Sequence, residues 1–341
     1  MHIPENYLAP AACGVMTAAM VPVWAHAIKR VRLDLPKDKL PMIGVGASFS
    51  FLAMMFNVPL VGGTTGHAVG GTLAALLFGP DAACIAVSTA LLLQAMIFGD
   101  GGILAFGANC FNMAFVLPYL GFFIYQLITR AFGGSEKAGT GTRCAAAAIG
   151  SYIGINAAAF CAAVEFGIQP LLFTDSMGNA LYCPYDLSIA IPAMMIPHLA
   201  VAGLIEAAFT AAVYAFVDRT APDLIYDNIR SGKTSEGVSH IPVFALMAVM
   251  IALTPLGLLA AGTAWGEWGA EEIAEVVTNG TPLGYTPQGL LNGWSLNVPL
   301  PDYALEGMPE SAAYILSAVI GASLLIILFK LFSLIPARRK V

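Results

Sequence analysis

Apolar residues in this chain fall in long, nearly unbroken runs, not in the i, i+3, i+4 stripe of a surface helix or the alternation of a half-buried strand. The runs cover residues 9–28, 40–61, 66–78, 82–98, 104–128, 144–166, 187–217, 241–261 and 312–334, and the polar segments between them carry most of the charge. A helix of about 20 apolar residues spans the hydrocarbon of a bilayer, so the pattern predicts nine membrane segments. The run 66–78 is below spanning length. It is expected as a short helix shielded by its neighbours or as a re-entrant segment, because irregular backbone at membrane depth survives only against protein. The fold class that follows is an all-α integral membrane protein.

Composition agrees. Of 341 residues 58% are hydrophobic and 11% charged, with mean hydropathy +0.78, against about 25% charged in soluble proteins. Positive charge then orients the path, since Lys and Arg in short loops stay on the cytoplasmic side. With the N-terminus outside, the inside segments hold Lys29, Arg30, Arg32, Lys37 and Lys39, then Arg130, Lys137 and Arg143, then Arg219, Arg230 and Lys233, and finally Lys330, Arg338, Arg339 and Lys340: all 15 basic residues. The outside segments hold more than half of the acids, from Glu5 and Asp100 to Glu267, Glu271, Glu272 and Glu275. Such a face attracts cations. Cys13, Cys84, Cys110, Cys144, Cys161 and Cys183 form no C-x-x-C pair and read as buried filler. Only Cys110 and Cys183 fall near the outer face, where one disulfide is open to them.

The first eight residues, MHIPENYL, lack the basic start of a secretory signal. Met1 is therefore expected to remain, followed by a histidine too large to permit its enzymatic removal. A terminal amine, the amide nitrogen between residues 1 and 2 and the His2 ring nitrogen then close adjacent five- and six-membered chelate rings around one ion. That planar nitrogen field suits Ni(II), Cu(II) or low-spin Co(II) rather than Zn(II), Mg(II) or Ca(II). A fourth nitrogen completes the plane. His67, in VGGTTGHAVGG, is the candidate: it opens the third run on the outer side, in a loop whose Gly62, Gly63, Gly66, Gly70 and Gly71 permit close backbone approach. Thr64 and Thr65 are placed to orient its ring. Glu5, Asn109 and Asn112 are candidates for support around the site. His26 and His240 fall at the ends of runs. His198 and Glu206, two turns apart in the seventh run, are intramembrane ionisable residues open to either a functional role or an interhelical hydrogen bond.

Four segments carry a family resemblance: MHIPENYLAP, VGGTTGHAVGG, LLLQAMIFGDGGILAFGANCFNMA and PHLAVAGLIEAAFTA, in that order across residues 1–217. The chain resembles the NikM/CbiM family, the substrate-binding membrane (S) components of energy-coupling-factor nickel and cobalt importers. The resemblance implies an S-component bundle of about seven helices and a metal held by the Met1 amine, the His2 backbone and ring nitrogens and the His67 ring. No cofactor is implied beyond the transported Ni(II) or Co(II), with nickel preferred. Family members usually carry Asp-Gly after MHIP, where this chain has Glu5-Asn6. Residues 241–341 hold two further membrane runs around an outer segment, about 262–311, and look like the auxiliary N component of the same transporters. Residues 218–240 are a polar cytoplasmic linker.

No ATPase motif accompanies this. Gly232-Lys233-Thr234 ends like a P-loop, but its first glycine falls at Asp227 and the segment follows a membrane helix rather than a strand. The resemblance implies that a scaffold T component of the NikQ/CbiQ type and two cytoplasmic ATPases of the NikO/CbiO type supply the energy. Lipid surrounds the chain in a prokaryotic inner membrane, with the C-terminus cytoplasmic and no nucleic-acid partner. Gly14 and Ala18 have the small-xxx-small spacing of a close helix contact, internal or with the scaffold. Two alternatives lack residues. An intramembrane metal-dependent hydrolase needs H-E-x-x-H or its equivalent, for which His198 and Glu206 are too few, and a passive divalent-cation channel needs repeated rings of ligands.

Overall fold

A computed structural model of the chain describes residues 1–35, 39–61, 64–135, 137–232, 239–260, 262–278 and 280–334. Gly62 and Gly63 of the glycine-rich loop, the basic Lys37, Lys233, Arg338, Arg339 and Lys340, and Thr234 of the rejected P-loop lie outside the described residues.

The helices are α1 (Pro10–Asp34), α2 (Leu40–Met54), α3 (Gly71–Phe78), α4 (Pro80–Phe98), α5 (Phe106–Ala131), α6 (Thr140–Leu172), α7 (Leu187–Thr220), α8 (Ile241–Leu259) and α9 (Glu310–Leu334). Among the described residues seven, α1 and α4 to α9, are long and apolar enough to cross a membrane. Two predicted spans come out differently. The run 40–61 is helical only to Met54, after which Val58 and Pro59 pair antiparallel with Gly66 and Thr65. Apolarity alone could not tell that short strand from the end of a helix. The run 66–78 becomes helical only at Gly71, so His67 stands four residues ahead of the helix it was expected to open. All eight residues of α3 are buried, so this helix, too short to span a bilayer, is shielded by its neighbours.

Small residues set the packing. A Cβ on Gly150 would lie 2.5 Å from the Gly121 carbonyl, and one on Gly154 2.6 Å from that of Leu117, so α5 and α6 touch backbone to backbone. Gly44 lets α2 take Leu325 and Phe329 of α9 close by, each 3.0 Å from where a Cβ would stand, which docks the C-terminal helix on the N-terminal unit. Gly14 of α1 is different. Nothing lies within 4 Å of a Cβ there, and Ala18 is exposed beside it, so this small-residue face packs against no other part of the described chain. Large apolar residues such as Val15, Phe123, Phe160, Leu204 and Leu324 are likewise exposed on the helices, as a chain solvated by lipid requires. All six cysteines are free; Cys110 and Cys183, the pair open to a disulfide, are separate buried thiols.

At the basic end of the bundle, Asp223 ties three elements together. Its Oδ2 accepts from Lys39 Nζ at 2.7 Å and lies 3.0 Å from His240 Nε2, so the start of α2 and the approach to α8 are pinned to the segment after α7. Burial alone would raise the Asp223 carboxyl, but the Lys39 and His240 hydrogen bonds and charges together hold it below the usual carboxylate value. A depressed carboxyl stabilises the fold above its unfolded pKa, and that stability is lost as pH falls through the folded value. Asp223→Asn is therefore expected to cost on the order of 1–3 kcal/mol and to flatten the acid limb of stability against pH, as read from thermal melts in detergent.

Candidate metal centre

The first nine residues form no helix; they are drawn into the protein by side chains acting as strand partners. Asn109 of α5 accepts the Ile3 N–H at 2.8 Å and donates back to the Ile3 carbonyl at 3.0 Å, while Gly102 N–H reaches the same carbonyl at 2.9 Å. Glu5 Oε1 accepts from Leu104 N–H at 3.0 Å, and burial raises its carboxyl above the usual value. Only glycine fits at 102, because a Cβ there would lie 2.7 Å from the Glu5 carboxylate and 2.8 Å from its backbone nitrogen. Asn6 has φ 65°, the left-handed region that asparagine tolerates better than most residues other than glycine. The Glu5-Asn6 departure from Asp-Gly thus keeps the turn, and Asn6 Nδ2 adds a bond of 2.9 Å to the Trp294 carbonyl. The segment ends where Gln169 of α6 accepts the Ala9 N–H at 3.0 Å, and Pro10 begins α1.

These ties leave Met1, His2 and Ile3 almost fully buried. The His2 and His67 rings meet with centroids 5.0 Å apart at 34°. His67 Nδ1 lies 3.1 Å from the Ala68 carbonyl, which can only accept, so Nδ1 carries the proton and Nε2 keeps its lone pair. Burial, then the charges of the Met1 amine and His2, push the His67 pKa well below its ordinary value; the ring stays neutral and able to ligate. His2 Nδ1 lies 2.8 Å from Asp100 Oδ1, and His2 Nε2 is buried with no hydrogen-bond partner.

Asp100, from FGDGG, belongs to a buried relay. Its Oδ2 accepts from the Tyr303 hydroxyl and from Gln94 Nε2 at 3.0 Å, and Gln94 also donates to the Tyr303 oxygen at 2.9 Å. Burial would raise the carboxyl, but the charge and hydrogen bond of His2, then Tyr303 and His67, hold it far below the usual range. Burial and the Asp100 charge push the Tyr303 phenol well above its own, so it remains a donor. The Met1 amine lies 3.5 Å from Glu267 Oε1, and Tyr7 donates to the Trp268 carbonyl at 2.7 Å. The segment between α8 and α9 therefore covers the N-terminus.

The other candidates sit as follows. Thr64 Oγ1 accepts from the Trp265 N–H at 2.7 Å, and Thr65 is the partner of Pro59; the hydrogen bond at the His67 ring is instead with Ala68. Asn112 donates to Glu165 at 2.8 Å, helix to helix. His198 Nδ1 lies 2.7 Å from the Met194 carbonyl of its own helix, and Glu206 receives the N–H groups of Val69 and Gly70. Asp100, Tyr303 and Glu267 were not among the predicted site residues. Asp100 carried a readable signal, a lone acid framed by glycines, whereas Tyr303 lies some two hundred residues from its partner with no local mark.

Among the described residues no group of three or more His, Cys, Asp or Glu side chains is arranged to hold a metal ion. The nitrogen donors gathered here are two imidazoles, a terminal amine and backbone nitrogen. With metal–nitrogen bonds of about 2.1 Å and roughly 1.1 Å more to each ring centre, imidazoles at neighbouring corners of one square have centres on the order of 4–5 Å apart. The observed separation fits that arrangement.

The family model for CbiM, a cobalt uptake substrate-specific transmembrane region, matches residues 2–224, and the model of the PDGLE domain matches residues 239–338. A probable fused nickel transport protein LarMN of Lactiplantibacillus plantarum is 46% identical over 97% of this chain and 97% of its own length. A fused nickel transport protein NikMN of Rhodobacter capsulatus is 44% identical over 96% and 95%. A crystal structure of a truncated transition metal transporter aligns with TM-score 0.59 and 52% identity, over 64% of this chain and 99% of that one.

Proposed function

Because this chain belongs to the CbiM family of cobalt uptake substrate-specific transmembrane proteins, we propose that it captures Ni(II), or Co(II), from outside the cell at its N-terminus and passes the ion inward. It is a multi-pass membrane component of nickel and cobalt transport. The observation that carries the proposal is the approach of the His2 and His67 rings to 5.0 Å beside the buried Met1 amine. The ligands are the Met1 amine, the His2 amide nitrogen, His2 Nδ1 and the His67 ring. Nickel is favoured because an amide nitrogen in a planar field suits it and because two relatives matched over nearly their whole length are named for nickel.

The remainder of the proposal concerns assembly. The N-terminal segment faces outward and the basic ends face the cytoplasm, in a prokaryotic inner membrane. Outer acids concentrate the cation. Residues 241–341 act as the auxiliary module, whose outer segment holds the N-terminus in place. A NikQ/CbiQ-like scaffold and two NikO/CbiO-like ATPases drive release inward.

Capture in this geometry is an exchange. A six-membered chelate needs His2 Nδ1, the atom now bonded to Asp100, so the ion breaks that hydrogen bond and displaces the protons of the amine and the amide. His67, held neutral, contributes no proton to displace. Each displaced proton makes binding about tenfold weaker per pH unit, so affinity for Ni(II) should fall by at least roughly a hundredfold from about pH 8 to about pH 6. Calorimetry and ligand-field absorption on the purified protein test the reading: one equivalent of Ni(II) or Co(II), held more tightly than Zn(II), is expected. A preference for Zn(II), or no tight binding, would overturn it.

A further inference from the structure

We infer that Glu206 of α7 is a positioning residue for the metal site, aiming the His67 ring through the peptide that follows it; this rests on the metal-capture reading above. Glu206 is fully buried, and a carboxylate in an apolar interior is costly unless its oxygens are satisfied. Its hydrogen bonds go to one turn of backbone: Oε2 accepts from Val69 N–H at 2.7 Å, and both oxygens lie 3.1 Å from the Gly70 nitrogen.

The Val69 N–H and the Ala68 carbonyl belong to the same planar trans peptide and point in opposite directions. Drawing the N–H toward Glu206 aims the carbonyl away from it, at His67 Nδ1, 3.1 Å off. That contact fixes the proton on Nδ1 and so leaves Nε2 as the ligating nitrogen, the role that metal-site histidines ordinarily assign to a carboxylate or carbonyl acting directly. Here the carboxylate acts one peptide away. The next peptide is held at both ends as well. Ser50 of α2 donates to the Val69 carbonyl at 2.7 Å while Glu206 takes the Gly70 N–H. Gly70 has φ +70°, and a Cβ there would lie 3.3 Å from the ring of Phe209, three residues along α7 from Glu206. Two consecutive peptide planes behind the ligand are thus clamped between α2 and α7.

A simpler role exists, because α3 begins at Gly71 and a carboxylate near its start offsets the unpaired N–H groups of a helix end. That role predicts lost stability and nothing at the metal. Glu206→Gln separates the two. The amide keeps one oxygen but sets an NH2 donor against a backbone N–H that a carboxylate oxygen now receives, and it removes the charge, which loosens the clamp on these peptides. Ni(II) affinity is expected to weaken by roughly 10- to 100-fold, with a shifted Ni(II) ligand-field band at saturation. Glu165→Gln, which alters a buried acid bonded to Asn112 and not to the peptides after His67, should keep parental affinity and spectrum. If Glu206→Gln binds with parental affinity and an unchanged band, whatever its melting temperature, the inference is overturned. Should that variant fail to fold, Gly70→Ala disturbs the same peptides with Glu206 intact: weakened binding supports the inference, parental binding rejects it. Failure of the metal-capture reading has its own signature, a parent protein whose Ni(II) binding His67→Ala leaves untouched, and the inference then falls with it.

Discussion

A chain extended by one residue ahead of Met1 is expected to lose tight Ni(II) binding by roughly three orders of magnitude, about 4 kcal/mol. Extension converts the terminal amine into an amide, a nitrogen that ligates only after losing its proton, and pushes the free amine and one further residue into a place already filled. There is little room to compensate. Met1 is buried to 6% exposure, and its nitrogen already faces Glu267 at 3.5 Å. His67→Ala should produce a loss of the same order by removing the fourth nitrogen, without touching the hydrogen bonds through Ile3 and Glu5 that hold the segment. Calorimetry on both proteins, with cellular nickel uptake beside it, measures the effect. If both bound Ni(II) like the parent, the nitrogen array would be wrong.

Asp100→Asn is expected to weaken binding by about 10- to 100-fold, the usual effect of altering a group beside a metal's ligands, because the carboxylate that gives up His2 Nδ1 to the ion stays next to it as a negative charge. Asparagine keeps the size and one oxygen but abolishes the charge that faces His2 and accepts from Tyr303. Tyr303→Phe should give a smaller loss, because the ring stays in place while its hydroxyl no longer fixes Asp100. The ring is firmly held: it stacks on Phe98 at 4.6 Å, and the Tyr303 carbonyl accepts from Ser317 at 3.0 Å. That support sustains two successive non-glycine residues, Asp302 at φ 54° and Tyr303 at φ 60°, in a region costing on the order of 1–3 kcal/mol each. Parental affinity in Asp100→Asn would detach the relay from metal binding.

Much of the architecture was legible because lipid imposes one rule, that a spanning segment be apolar and helical. The rule sets no boundary where an apolar run continues past the end of a helix or precedes its start, and both misjudged runs do so: 55–61, which holds a two-residue strand, and 66–70, which carries His67 ahead of α3. The two imidazoles were legible from chelate chemistry, and the structure brings them together. Their supports were less so. Asp100 speaks through neighbouring glycines, but Glu206 reaches Val69 across 137 residues and Tyr303 reaches Asp100 across 203; no local pattern encodes such pairings. Glu5-Asn6 shows the converse, a departure from the family pattern that the backbone absorbs, since asparagine occupies the conformation a glycine would.

The contacts of the N-terminal segment also fix an order of manufacture. His2 and His67 leave the ribosome early, yet Glu267, Trp294 and Tyr303, which touch Met1, Asn6 and Asp100, are among the last residues to follow. A nascent chain that has reached only α7 holds both imidazoles without the segment between α8 and α9 over them. The part made first is the part completed last.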